Sequence, residues 1–113
     1  MSNPHIKPLT GTAKHRRIVY LLTCLAEEAG EVAKEASKVL RFGLDNAWNG
    51  STPRQRLGTE LMDMSVIDEE LLKLGVDLLP TDEKVRDDYD IAKRARLEAA
   101  YKDSRKNGLI RPD

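Results

Sequence analysis

The amino-acid sequence predicts an all-α fold, a helical bundle, from two observations. Apolar residues recur at helical spacing through three long segments, and strand-like alternation is absent throughout. Glycine, proline and asparagine are concentrated between these segments, where they interrupt the helical pattern. At 113 residues, the chain is expected to form a single domain spanning residues 1–113.

Cap residues set the expected limits of the helices. The predicted segments run from Thr12 to about Arg41, from Ser51 or Thr52 to about Leu74, and from Thr81 to about Arg105. Residues 1–11 lack periodicity and are predicted to be a flexible arm, and residues 106–113 a tail. The third helix has only a weakly apolar face.

Carboxylates lie inside the first predicted helix, where apolar residues would be expected. At about 100° per residue, Glu28, Glu31 and Glu35 fall on one narrow strip beside the apolar face. An unpaired charge there would be costly. The only basic residue on that strip is Lys38, one turn beyond Glu35. A bound cation is the simplest partner for these acids.

The second predicted helix repeats the pattern with Glu60 and Asp63, which are three residues apart and share its apolar face. The apolar residues of that face are Leu57, Met64, Ile67, Leu71 and Leu74. If the two acidic faces pack together, they form an all-oxygen site. Such a site suits a hard cation. Mg²⁺ is the expected ion, and Mn²⁺ can substitute for it.

The bulk composition excludes several classes of function. Nineteen basic and nineteen acidic side chains balance, which argues against a nucleic-acid polymer as partner. The single cysteine, Cys24, rules out a disulfide framework and favours a reducing compartment. No apolar run is long enough to span a membrane, and no secretory signal is evident. We therefore expect a cytoplasmic protein without a membrane partner.

The loop after the first helix carries the lone tryptophan, Trp48. It is interpreted either as a hydrophobic plug that anchors the loop or as a lid that stacks on a base. Lys38 and Arg41 lie at the end of the first helix, where they suit bound phosphate. They also suit the negative end of the helix dipole.

Two motifs point to a family. Glu27-Glu28-x-x-Glu31 is followed, after a linker, by Glu60-x-x-Asp63, and the first motif continues into Ser37-Lys38-Val39-Leu40-Arg41-Phe42-Gly43-Leu44. Over roughly Arg17 to Gly75, this pattern resembles the MazG-like all-α nucleoside triphosphate pyrophosphohydrolases, in particular the compact phage and bacterial type.

The resemblance implies a fold of that type and Mg²⁺-dependent cleavage of (deoxy)nucleoside triphosphates between the α and β phosphates. It assigns the metal ligands as Glu28, Glu31, Glu60 and Asp63. Either Glu27 or Glu31 would orient or deprotonate the attacking water. The candidate substrate contacts are Lys38, Arg41, Lys93 and Arg96 for the outer phosphates and Trp48 for the base. Members of the family commonly assemble, so a homo-dimer or homo-tetramer is expected.

The alternative is a non-catalytic helical interaction or regulatory module that binds a partner through an acidic face. Acids that bind a partner should face solvent. The helical pattern instead places Glu28, Glu60 and Asp63 on apolar faces, which favours catalysis.

Overall fold

The structure, a computed structural model, describes residues 11–47 and 49–108. It contains three helices, α1 (Ala13–Phe42), α2 (Pro53–Lys73) and α3 (Glu83–Lys106). The described ranges contain no β-strand, so the all-α prediction is confirmed. Most of the predicted arm and tail lies outside the described residues.

The first two helices begin at threonine caps, as the sequence predicts. The Thr12 hydroxyl accepts a hydrogen bond from the backbone N–H of His15 at 3.1 Å. Thr52 and Gln55 form a reciprocal capping box, in which each side chain accepts from the other's backbone N–H, at 3.1 and 2.8 Å. Pro53 occupies the first helical position, where its missing N–H costs nothing.

The end of α2 also follows from local chemistry. Gly75 adopts a φ of +85°, which glycine reaches without the steric cost of a Cβ atom. Its N–H bonds to the carbonyl of Leu72 at 2.9 Å, and the N–H of Val76 bonds to that of Leu71 at 3.0 Å. This pair of bonds is the Schellman motif, and it satisfies carbonyls that the helix end would leave unpaired.

The predicted cap of α3 is wrong by one residue. Asp82, rather than Thr81, is the N-cap, and its carboxylate accepts from the N–H of Val85 at 3.1 Å. The aspartate stands directly before the first helical residue, where a carboxylate also complements the helix dipole.

Backbone contacts divide the chain into two units, one up to Leu78 and one from Leu79. In the first, α1 packs against α2. Among the described residues, Leu21 of α1 and Leu71 of α2 form its buried core, and Pro53 is buried as well. In the second unit, α3 has no buried residue, and the side chains that make its weakly apolar face, such as Val85 and Tyr89, are exposed.

The loop between α1 and α2 is tied to the start of α2. Arg54 donates two hydrogen bonds to the Asp45 carboxylate, at 2.8 and 2.9 Å. The hydrogen bonds from Arg54 hold the pKa of Asp45 below its ordinary value. The backbone N–H of Arg54 also bonds to the carbonyl of Leu44 at 2.9 Å. These contacts close the loop at its base.

Among the described residues, no helix combines the length and the apolar character needed to cross a membrane.

Replacing Gly75 by alanine is expected to destabilise the protein by about 1–2 kcal/mol, because alanine is strained at a positive φ. A Cβ atom there would meet nothing closer than the Lys14 Nζ at 3.9 Å, so backbone strain is the only source of the loss. Gly58→Ala is the matched control. Gly58 lies inside α2 with open space around it, and this change should stabilise by roughly 0.5–1 kcal/mol. Urea unfolding followed by circular dichroism measures the free energy of unfolding of both variants. Equal effects of the two substitutions would contradict the role assigned to the positive φ of Gly75.

Candidate metal centre

Three carboxylates meet where α1 packs on α2. Each of Glu28, Glu60 and Asp63 offers an oxygen, and these oxygens all lie within 4.8 Å of one another. Glu28 comes from α1, and the other two come from successive turns of α2. Glu28 and Glu60 are partly buried, whereas Asp63 is exposed and borders the interface. The structure therefore brings together three of the four predicted metal ligands.

The crowding of these acids raises the pKa of Glu60 to about 7. The largest cause is a hydrogen bond with Glu28, which a protonated Glu60 can make and an ionised one cannot. Desolvation and the negative charges of Glu28, Asp63 and Glu31 act in the same direction. The cluster thus favours binding of positive charge, as a proton or as a cation.

The Oε2 atom of Glu28 provides a separate test of whether the cluster fits a cation. This atom is buried and has no hydrogen-bond partner among the described residues. Ionised carboxyls cannot donate to it, so its lone pairs are unsatisfied unless a proton or a metal ion supplies the missing contact. An all-carboxylate donor set of this kind fits Mg²⁺ or Mn²⁺.

The fourth predicted ligand, Glu31, lies beside this group. Its carboxylate is 4.0 Å from the Lys34 ammonium, while its charge still acts on Glu60. Glu27, the other predicted catalytic acid, is exposed. Its charge acts on Tyr20, whose pKa is raised mainly by Cys24 and to a smaller extent by Glu27.

One turn beyond Glu31, Glu35 belongs to a charge network of which the sequence indicated only Lys38. Glu35 is only 6% exposed, and its carboxylate lies 3.4 Å from the Lys38 Nζ and 3.6 Å from the Arg56 Nε. Arg56 of α2 was missed as a functional residue. A signal was available, because Arg56 stands four residues before Glu60 and so shares its face of α2.

Both cations of this network line a cavity of about 430 Å³. The lining residues are Lys38, Phe42, Asn46, Pro53 and Arg56. The volume falls within the range of small-molecule sites, roughly 300–1,000 Å³. The wall combines an aromatic ring, a proline and an amide with two positive charges.

The other predicted substrate contacts are placed as follows. Arg41 is exposed, with its guanidinium 5.3 Å from the centre of the Phe42 ring. Lys93 and Arg96 belong to α3 in the second unit, where Arg96 lies 5.6 Å from the Tyr89 ring. Trp48 lies outside the described residues. The substrate roles assigned to these residues stay predictions.

Comparison of the chain with protein families, with curated proteins and with solved structures finds no match. The function is therefore inferred from the site and from the sequence motifs.

The raised pKa of Glu60 predicts how the metal-free protein responds to pH. Because its pKa is above the ordinary value of 4.5, the folded state binds this proton more tightly than the unfolded state. The resulting stability is complete below about pH 4.5 and is lost as pH rises through about 7. Glu60→Gln should remove this pH-dependent loss of stability, so the metal-free variant should be more stable than the wild type above pH 7.

The measurement is urea unfolding in metal-free buffer at a series of pH values. Glu70→Gln is the control, because Glu70 lies on the same helix but pairs with Lys73 at 2.9 Å. A Glu60→Gln variant with the same pH dependence as the control would refute the coupling within the cluster.

Proposed function

We propose that this chain is a Mg²⁺-dependent nucleoside triphosphate pyrophosphohydrolase of the MazG-like all-α type. It hydrolyses (deoxy)nucleoside triphosphates to a nucleoside monophosphate and pyrophosphate. The observation that carries the proposal is the convergence of Glu28, Glu60 and Asp63, three acids from the two sequence motifs of that family.

The electrostatics of the cluster support a metal-dependent reaction on phosphate. Three carboxylates repel a phosphate group unless a cation stands between them. Bound Mg²⁺, or Mn²⁺ in its place, neutralises phosphate oxygens and lowers the barrier to attack by water. In this proposal Glu28, Glu60 and Asp63 would hold the metal, and Glu31 lies beside them.

Water must also be positioned and must lose a proton. The motif offers Glu27 and Glu31 for this role. Glu31 has the better structural support, because its charge acts on Glu60, whereas that of Glu27 acts on Tyr20.

The cavity near the cluster supports a small-molecule substrate. On α2, Arg56 precedes Glu60 by four residues, so the cavity wall lies about 6 Å along the helix axis from the acids. The Phe42 ring and Pro53 offer apolar contact for a base or sugar, and the Asn46 amide offers hydrogen bonds. In the proposed orientation, the phosphates lie at the acids and the nucleoside lies in the cavity, so the substrate occupies both parts of the site.

The sequence also bears on which bond breaks. Proteins that transfer the terminal phosphoryl group usually hold the β and γ phosphates in a glycine-rich loop, and no Gly-x-x-x-x-Gly-Lys motif occurs here. Without such a loop, Glu28, Glu60 and Asp63 would have to anchor the phosphates through bound Mg²⁺, and this supports release of intact pyrophosphate.

Assembly into a dimer or tetramer is part of the same proposal. Leu40, Met62 and Val66 are 86%, 69% and 54% exposed. Exposed apolar surface of this kind often marks a site of interaction with another protein. A second copy of the chain is the partner proposed for it.

The interaction-module alternative keeps one supporting observation, the exposure of Asp63. An exposed carboxylate can contact a basic partner. It does not explain the buried, unpartnered Oε2 atom of Glu28, which a docking protein would not reach.

Hydrolysis in ¹⁸O-labelled water with Mg²⁺ tests the proposed reaction. Label is expected in the nucleoside monophosphate, with intact pyrophosphate as the other product. Glu60→Gln should lower turnover at least about 100-fold, since a charged group that stabilises the transition state is lost, while Glu70→Gln serves as control and retains it. Label in orthophosphate, or full turnover by Glu60→Gln, would overturn the proposal. Absence of any turnover would favour the interaction module.

Light scattering at micromolar concentration tests assembly. The expected mass is two or four times the 12.7 kDa of the chain. The paired substitution Met62→Glu and Val66→Glu places charges on the exposed face of α2 and should lower that mass, because charge in an apolar interface is costly. A wild-type particle of 12.7 kDa would contradict assembly.

A further inference from the structure

Glu35 is a buried acid that the proposed reaction does not use. It lies in α1 seven residues beyond Glu28, and it is 6% exposed. Burying a carboxylate is costly unless cations accompany it. Two do so here, Lys38 from its own helix and Arg56 from α2, at 3.4 and 3.6 Å.

These two cations also line the cavity, so Glu35 controls the charge of a ligand-binding wall. Arg56 is held in place by further contacts, since its Nη1 donates to the Ser51 hydroxyl at 2.8 Å and to the Ser51 carbonyl at 3.3 Å. With Glu35 present, the three charged groups sum to one positive charge. Without it, a lysine and an arginine would face the same cavity with two.

A wall with two positive charges attracts phosphate. Arginine and lysine are the usual ligands of phosphate groups, and their attraction grows where solvent is partly excluded. The phosphate end of a nucleoside triphosphate could then enter the cavity. The nucleoside would lie toward the acids, in the reverse of the productive orientation.

We propose that Glu35 is a specificity-determining residue that fixes the direction in which the substrate lies. By screening Lys38 and Arg56, it makes the cavity a poor phosphate site and leaves it to the uncharged nucleoside. In this proposal Lys38 is therefore not a phosphate contact, in contrast to the expectation from the sequence. The phosphates are thereby directed to the metal-binding acids. This inference rests on the proposed function.

A purely structural role for Glu35 makes different predictions. A salt bridge that only joins two helices would, when broken, reduce stability and weaken binding of every ligand. It would not create a new anion site. The binding of a free anion therefore separates the two roles.

The direct experiment measures binding of inorganic pyrophosphate by calorimetry in metal-free buffer. Glu35→Gln keeps the size of the side chain and removes its charge, and it should tighten pyrophosphate binding about tenfold. Adding Lys38→Gln to it returns the wall to one positive charge and should restore the wild-type affinity. Glu70→Gln is the matched control, because Glu70 and Lys73 form a pair with the same spacing along a helix, and it should change nothing.

A second variant keeps the inference testable if Glu35→Gln does not fold. Asn46 is exposed and lines the cavity. Asn46→Lys adds a positive charge there without disturbing the buried network. It should also tighten pyrophosphate binding.

Kinetics provide an independent readout. Substrate held in the reverse orientation is bound but not cleaved, which lowers kcat and KM by the same factor and leaves kcat/KM unchanged. Glu35→Gln should show this pattern. Asn46→Lys is assessed by pyrophosphate binding alone, because it also removes the amide proposed to contact the nucleoside. Loss of a structural contact would instead lower kcat/KM.

The outcomes separate the two proposals. A wild-type chain without Mg²⁺-dependent pyrophosphate release overturns the proposed function, and the orientation role with it. Wild-type turnover together with unchanged pyrophosphate binding in both Glu35→Gln and Asn46→Lys overturns the role of Glu35 alone.

Discussion

The packing of α1 against α2 holds the carboxylates of Glu28, Glu60 and Asp63 within 4.8 Å of one another, although like charges at that distance repel. Apolar contacts along the two helices, with Leu21 and Leu71 as their most buried members, must offset this repulsion. The raised pKa of Glu60 shows one way in which the strain is relieved, by uptake of a proton. The divalent cation proposed for this site would relieve it more completely, because it would contact all three acids together.

The charge changes along the α1–α2 pair, from a cluster of acids to a weakly positive cavity, and this order suits a substrate with one charged and one uncharged end. The acids occupy one level. At the next level, Glu35 joins both helices through Lys38 and Arg56. The cavity opens toward the loop beyond them. A negative surface is therefore followed by a weakly positive one along a single helix pair, and the proposed orientation of the substrate depends on this order.

The core of the first unit is small, and this bears on how the protein works. Among the described residues, its buried core consists of Leu21 and Leu71, with Pro53 also buried, while Leu40 and Met62 are largely exposed. A small domain gains limited stability from so little burial. Association would add to it, and a cluster of repelling acids is more easily maintained in a larger assembly than in an isolated helix pair.

The sequence by itself determined the helices and most of the acid cluster. Thr12, Thr52 and Gly75 mark helix ends through hydrogen bonds to neighbours a few residues away, and such local chemistry is readable from the chain. The spacing of Glu60 and Asp63 placed both on one face of α2, and the structure brings them to Glu28. Only the cap of α3 was misplaced, by one residue.

The tertiary structure alone decided the partner of Glu35. Its helical position indicated an acid in need of a cation and offered Lys38, but Arg56 reaches it from another helix. That contact depends on how far α1 and α2 are shifted along each other, and no local rule fixes this shift. The same shift sets which residues enclose the cavity, and it leaves Asp63 exposed although its helical face is apolar. Local spacing fixes the face on which a side chain lies, whereas the packing of two helices fixes what that face meets.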